Sequence, residues 1–345
     1  MSDKTQITNS PTPESLLEVN ALCKYFPVKS KGFRRKQIGL VKASDNVSFT
    51  LMNGETLGLV GESGCGKTTT GRSILRGITP TAGEVRFRSE RGWVDLAKLS
   101  ERELRPLRTE MQMIFQDPFS SLNPRMTVGD IVGEPLLIHG IGNKTERTQK
   151  VMAMLEKVGL KPEHRTRYPH AFSGGQRQRI GIARALILHP KLVVCDEAVS
   201  ALDVSVQAQV INLLQDLQKD LGLTYIFIAH DLSVVKHICD RIAVMYAGRI
   251  VELATSKELF ANPQHPYTKA LLSAVPNPDP DQPMNMDLSG EVADPGNLPA
   301  GCAFHPRCSM GIDACKGAVP PLTEQTDGRT VACIRCGNGK NESRT

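Results

Sequence analysis

Three stretches of this 345-residue chain combine residue types suited to the chemistry of phosphates and metals. The first, GESGCGKT from Gly61 to Thr68, has the spacing G-x-x-x-x-G-K-[ST]. Gly61 and Gly66 let the backbone wrap a phosphate, while successive N–H groups and the following helix start point positive charge at it. Lys67 adds a full charge near the outer phosphates, and the Thr68 hydroxyl can ligate magnesium. The second stretch, LVVCDE at 192–197, is an apolar run ending in two carboxylates. In a nucleotide-binding sheet that ending puts Asp196 at the strand's C-terminal edge, beside the phosphate loop. Asp196 can hold magnesium, directly or through water. Glu197 is placed to orient or deprotonate an attacking water, because phosphoryl transfer needs positioning and charge stabilisation more than covalent chemistry. The third stretch is the tail, where five of the nine cysteines fall in the last 44 residues.

Each pattern has a plainer reading. A glycine turn can be empty, a DE pair more often caps a helix, and cysteines can simply pack. What raises the first two above that level is their setting. LGLVGESGCGKTTTGRSIL reads as strand, glycine-rich turn and helix, the context that makes the phosphate-loop match credible. KLVVC at 191–195 and TYIFIA at 224–229 are short apolar runs, as expected of strands buried on both faces. Between them Val206, Val210, Leu213 and Leu217 recur at helical spacing. Alternating strand-like and helical runs from about 17 to 255 predict an α/β domain with a substantially parallel sheet. Residues 120–185 carry few strand signals and read as a helical insertion. Beyond 275 the chain turns rich in Pro, Asp and Gly, a linker or irregular loop leading into the cysteines.

Composition limits the functional classes. Hydrophobic content of 40% and charge of 23% suit a soluble globular protein, and no run of about 18 apolar residues suggests a membrane span. The polar N-terminus lacks the apolar centre of a secretory signal, so a cytoplasmic setting with reduced cysteines is expected. Net charge is +6, and the densest basic stretch, KSKGFRRK at 29–36, has almost no interleaved aromatics. A solvated loop is favoured there over a nucleic-acid patch.

With the phosphate loop and the carboxylates in view, FSGGQRQR at 172–179 resembles the signature motif of ATP-binding cassette (ABC) ATPases. The resemblance implies a P-loop fold with a RecA-like core, an antiparallel β subdomain and a helical subdomain. It implies nucleotide contacts from Gly61, Glu62, Ser63, Gly64, Cys65, Gly66, Lys67, Thr68 and Thr69, with Thr68, Gln116 and Asp196 holding Mg2+. Gln116 in MIFQDP matches the Q-loop, Ser200, Ala201, Leu202 and Asp203 match the D-loop, and His230 in IAHD matches the switch histidine. Phe26, with Tyr25 as the alternative, matches the aromatic that stacks on adenine. Lys67, Gln116, Glu197 and His230 are thereby the implied catalytic set. In such ATPases two domains pair head to tail, so Ser173, Gly174, Gly175 and Gln176 would act on ATP held by a partner.

QDPFSSLNPRMTVGDIVGEPL, RYPHAFSGGQRQRIGIARAL, NPQHPYTKALLSAVP and the cysteine tail narrow the resemblance to ATP-binding subunits of bacterial dipeptide and oligopeptide importers. It covers about 17–336 and is greatest to the second ATPase subunit of dipeptide systems. It implies a sibling ATPase, two integral permeases and an extracytoplasmic binding protein as partners, no nucleic acid, and a peripheral place on the cytoplasmic face of the membrane. Nickel, glutathione and murein-peptide importers share these motifs, and soluble ABC ATPases form a more distant alternative. Two departures stand out: Ala198 replaces the proline usual after the catalytic glutamate, and Phe172 replaces the commoner leucine. The expected organisation is a disordered 1–16, an ATPase domain at 17–275, an extension at 276–336 and a disordered 337–345.

In the tail, Cys302, Cys308, Cys315 and Cys333 are separated by five, six and seventeen residues, wider than the paired thiolates of many small zinc sites. Spacing alone leaves an iron–sulfur cluster, zinc and unligated thiols all open. The resemblance favours a [4Fe–4S] cluster on these four, with Cys336 a spare or an alternative to Cys333. Cys65 and Cys195 are expected to be small packing residues, and Cys23 and Cys239 to belong to the core.

Overall fold

A computed structural model describes residues 14–30, 37–117, 119–274 and 293–336. The expected disorder at 1–13 and 337–345, all but the first two residues of the basic stretch, and the linker from 275 to 292 lie outside the described residues.

Two sheets carry the chain. The smaller is antiparallel, in the order β2 (Gln37–Met52), β1 (Ser15–Lys29), β4 (Ala82–Ser89) and β5 (Gly92–Asp95). β1 starts at Ser15, two residues before the expected domain start, because Leu16 and Leu17 are both buried. The larger sheet has a parallel centre in the order β9 (Arg241–Tyr246), β3 (Thr56–Val60), β8 (Thr224–Ala229), β7 (Leu192–Asp196) and β6 (Met111–Ile114). Every residue of β3, β7 and β8 is buried, which is why these strands read as unbroken apolar runs rather than alternating ones.

Helices flank this centre. α1 (Lys67–Ile74) follows β3, α2 (Glu101–Leu107) precedes β6, α6 (Val204–Leu221) lies between β7 and β8, and α7 (Leu232–Ile238) between β8 and β9. The buried face of α6 is Val210, Ile211, Leu214 and Leu217. Val206 and Leu213, expected on that face, lie at its half-buried margin, so the face is rotated from the one the spacing suggested. The stretch between β6 and β7 carries α3 (Val128–Ile138), α4 (Lys144–Lys157) and α5 (Gly174–Leu186). Capping boxes, Asn143 with Glu146 and Ser173 with Gln176, start the last two by satisfying otherwise unpaired N–H groups.

β9 turns back into β10 (Arg249–Thr255), and α8 (Ser256–Ala261) and α9 (Pro266–Ser273) follow. The segment 293–336 is mostly irregular, yet it is not a loose appendage. Its short strands β11 (Thr323–Glu324) and β12 (Thr330–Val331) extend the larger sheet, β12 pairing antiparallel with β10. Phe304 enters the main core, its ring 5.2 Å from Tyr246 and 5.4 Å from Tyr267. Among the described residues no helix is long and apolar enough to cross a membrane.

If the extension is part of the main core, Phe304→Ala should cost about 3 kcal/mol, the usual range for emptying a buried aromatic site. Urea denaturation should show it as a lower midpoint of a single transition; a loss under about 1 kcal/mol would mean loose packing.

Candidate active site

The pairing register of the parallel strands brings four distant segments to one edge. Ile114 pairs with Cys195, Asp196 with Ile228, and Val60 with Ala229. The residues that leave these strand ends are Gln116, Glu197, Gly61 and His230. This is the carboxyl edge at which open α/β sheets bind ligands.

The phosphate loop approaches other backbone too closely for side chains. A Cβ on Gly61 (φ +150°) would sit 2.2 Å from the Met245 carbonyl oxygen. One on Gly66 (φ +106°) would sit 1.8 Å from that of Ala43. Gly66 is the N-cap of α1 and offers no side-chain acceptor, in contrast to the capping boxes at α4, α5 and α8. The first N–H groups of α1 thus lack the local partner those helices have, and a bound anion can take them. Ser63 and Gly64 form the exposed tip of the loop, Cys65 is buried, and Thr69 is half-buried on α1. Burial pushes the Cys65 thiol above its ordinary pKa despite nearby Lys67. Lys67 is itself buried, and its Nζ donates to the carbonyls of Gly61 (2.7 Å) and Glu62 (2.9 Å). The Thr68 hydroxyl donates to Asp196 Oδ1 at 2.7 Å, and Arg72, one turn further along α1, lies 3.4 Å from Asp196 Oδ2. Arg72 was missed from the sequence, although its i+4 spacing from Thr68 puts it on the same helix face.

Beside this pair stands a second constellation. Gln116 Nε2 donates to Glu197 Oε2 at 2.7 Å, and His230 Nδ1 is 3.3 Å from the same oxygen. Glu197 adopts φ +46°, a left-handed conformation rare for a residue with a side chain and frequent at functional sites. Three contacts hold it: its N–H donates to Ile228, and its carbonyl accepts from both the N–H and the hydroxyl of Ser200. Ala198 is buried at this turn, so the residue replacing proline fills space that the fold encloses. A cavity of about 40 Å³, lined by Glu197, Ser200, Gln207, His230 and Asp231, adjoins the carboxylate and is large enough for a water. Ala201 and Leu202 continue the turn, and Asp203 is the N-cap of α6.

Not every expected contact is made. Gln116 bonds Glu197, not Asp196. Ser173, Gly174, Gly175 and Gln176 start α5, with the Ser173 hydroxyl and the Gln176 amide occupied by each other's backbone. Among the described contacts none links them to the phosphate loop. In the smaller sheet, the Tyr25 hydroxyl donates to Asp45 at 2.5 Å, while the Phe26 ring is 38% exposed with Lys24 Nζ 4.9 Å from its centre. Burial acts to raise the pKa of Asp45, but its bonds to Tyr25 and Arg249 hold it below the ordinary carboxylate value.

The tail meets the site through a contact the sequence did not reveal. Arg307 forms two bonds to the Glu62 carboxylate, at 2.8 and 3.0 Å, and the Glu62 N–H donates to the Tyr267 hydroxyl at 2.9 Å. Cys302, Cys308, Cys315 and Cys333 all line one cavity, with His265, Phe304 and His305 also in its wall. Cys336 is not in that wall; its thiol lies 3.3 Å from the Gln264 carbonyl oxygen and beside Cys333. Burial pushes the thiols of Cys302 and Cys308 up, while the hydrogen bond with Cys336 lowers that of Cys333. Among the described residues no group of three or more His, Cys, Asp or Glu side chains is arranged to hold a metal ion. The thiols share a cavity wall without forming a ready ligand set. Cys65, Cys195 and Cys239 are buried as expected, but Cys23 is only partly so.

Comparison with known proteins places these features in a family. A family model described as ABC transporter matches residues 44–200, and one described as Oligopeptide/dipeptide transporter, C-terminal region, matches 251–315. A putative peptide import ATP-binding protein of Brucella ovis is 55% identical over 325 residues, 94% of this chain and 99% of that one. The dipeptide transport ATP-binding protein DppF of Haemophilus influenzae is 52% identical over 321 residues, 92% of this chain and 96% of that one. The solved dimer of the ATP-binding cassette MJ0796, bound to ADP and Pi, superposes with a TM-score of 0.60 at 26% identity, covering 70% of this chain and 99% of that one. With the cassette matched in sequence and fold, and the C-terminal region matched through Cys315, the chain belongs to the ATP-binding proteins of the oligopeptide/dipeptide branch of ABC transporters.

Proposed function

We propose that this chain hydrolyses ATP to energise the import of di- or oligopeptides through an ABC transporter. The observation that carries the hydrolytic reading is the convergence of Gln116 and His230 on one oxygen of Glu197, beside the Thr68–Asp196 pair. The peptide reading rests on the matched C-terminal region and on relatives named for peptide import.

The roles follow from chemistry. The phosphate loop from Gly61 to Thr69 cradles the phosphates, and Lys67 exchanges its two carbonyl partners for the outer phosphate oxygens. Thr68 and Asp196, with Gln116, would hold Mg2+, which supplies neutralising charge on the phosphates. Glu197 orients and deprotonates the attacking water, and His230 hydrogen-bonds the γ-phosphate. Phe26 stacks on adenine, since its ring is open to solvent while Tyr25 is tied to Asp45. Ser173–Gln176 and Ser200–Asp203 act across an interface with a second ATPase subunit. Two permeases and an extracytoplasmic binding protein complete the assembly, which holds the chain peripherally at the cytoplasmic face. The ATPase domain runs from Ser15 to about 275 with a RecA-like core, an antiparallel β subdomain and a helical subdomain at about 120–185, and 276–336 is the importer-type extension.

The four-thiol cavity supports a further assignment, a [4Fe–4S] cluster on Cys302, Cys308, Cys315 and Cys333. Ligation would require the four thiols to close together around the cluster as thiolates.

Glu197→Gln should leave ATP binding intact and lower turnover by at least ~100-fold, the low end for a general base; near-normal steady-state hydrolysis would remove Glu197 from that role. In the reconstituted complex, binding protein loaded with peptides should stimulate ATPase activity more than protein loaded with glutathione or a nickel chelate. Stimulation by none of the peptides would overturn the substrate reading. Strictly anaerobic purification should yield about four iron and four sulfide per chain, both lost in Cys315→Ser, whereas colourless protein without iron or sulfide would exclude the cluster.

A further inference from the structure

Glu62 is the second residue of the phosphate loop, and two segments remote in sequence hold it. Arg307 Nη1 donates to Glu62 Oε2 at 2.8 Å and Nη2 to Oε1 at 3.0 Å, a two-pronged pair whose side chains are 4% and 18% exposed. The Tyr267 hydroxyl accepts the Glu62 N–H, and the Glu62 carbonyl accepts from Lys67 Nζ. One residue therefore joins the phosphate-binding lysine, helix α9 and the tail. Arg307 is walled by the rings of Tyr246 and Phe304, each 5.9 Å from its guanidinium carbon. It ends a single helical turn, His305–Arg307, that lies between Cys302 and Cys308.

A carboxylate in a loop that binds anions is an electrostatic liability unless a cation neutralises it. A buried guanidinium meeting both oxygens neutralises it and fixes its direction, which a lysine would not do. We propose that Arg307 is a positioning residue for the phosphate loop: through Glu62 it fixes the first limb of the loop and cancels that charge. The cysteine-bearing turn is thereby a working part of the nucleotide site. The proposal rests on the reading of 61–69 as an ATP site, and the unaltered chain in the same assay tests that reading separately.

The experiment is equilibrium binding of ATP and of adenosine to the full chain, with thermal midpoints, for Arg307→Gln, Arg307→Lys, Glu62→Gln and the Glu62→Gln/Arg307→Gln double variant. Arg307→Gln should weaken ATP binding about tenfold or more, because it leaves the carboxylate unpaired, and should leave adenosine binding unchanged. Arg307→Lys should fall between that variant and the parent. The double variant should return to within about threefold of the parent, since the uncompensated charge is gone. A folded Arg307→Gln chain with parental ATP affinity, or a double variant that binds no better than it, would overturn the proposal. So would equal losses for ATP and adenosine, the mark of a general structural defect. If Arg307→Gln does not fold, Arg307→Lys with and without Glu62→Gln gives the same comparison.

Discussion

Parallel registration of β6, β7, β8 and β3 is the constraint on which the rest depends. Ile114 faces Cys195, Asp196 faces Ile228, and Ala229 faces Val60, so four strands end level with one another. A slip of one residue would reverse which face each side chain occupies. It would also move Glu197 away from His230 and Gln116, whose contacts with it span only 2.7–3.3 Å. Complete burial of β3, β7 and β8 holds that register, because a slip would send each side chain into the close-packed layer on the opposite face.

Local strain is then concentrated where chemistry needs it. Glu197 holds a left-handed conformation that costs on the order of 1–3 kcal/mol, and the Ser200 and Ile228 bonds offset that cost. The loop at Gly61–Thr68 solves a different problem. Its glycines admit the Met245 and Ala43 carbonyls at distances no side chain tolerates, and the helix start that follows keeps its donors for a ligand. Lys67 meanwhile satisfies itself on two loop carbonyls, so its charge is buried with hydrogen-bond partners even before an anion arrives.

Much of this was legible in the sequence because it is written in short-range patterns. The phosphate loop, the apolar strands and the carboxylate pair each occupy fewer than a dozen consecutive residues, and periodicity or motif spacing records them. The rotated face of α6 was not, since Ile211 and Leu214 are packed by neighbours that the spacing of valines and leucines does not encode. Neither was the pairing of β12 with β10, because two residues are too few to show alternation. The contact of Arg307 with Glu62 spans 245 positions and leaves no periodic trace at all. The cysteines are intermediate: their spacing marked a cluster, and the fold gathers four of them round one cavity, but spacing says nothing of whether the thiols stand close enough to share an ion.

Folding the extension into the larger sheet changes what the tail can do. His265 shows how firmly it is joined: burial pushes this imidazole down to about 4, so near neutral pH it is uncharged. Its Nδ1 accepts from the Tyr267 N–H, which leaves the other ring nitrogen to serve the Ala332 carbonyl beside Cys333. Two residues further, in α9, Tyr267 packs on Phe304 and its hydroxyl accepts the Glu62 N–H. Cavity wall, aromatic core and phosphate loop are thus consecutive links of 5.4 Å or less. A close-packed interior transmits displacement instead of absorbing it. Two contacts tie the extension and α9 to Glu62, that of Arg307 to its carboxylate and that of Tyr267 to its backbone.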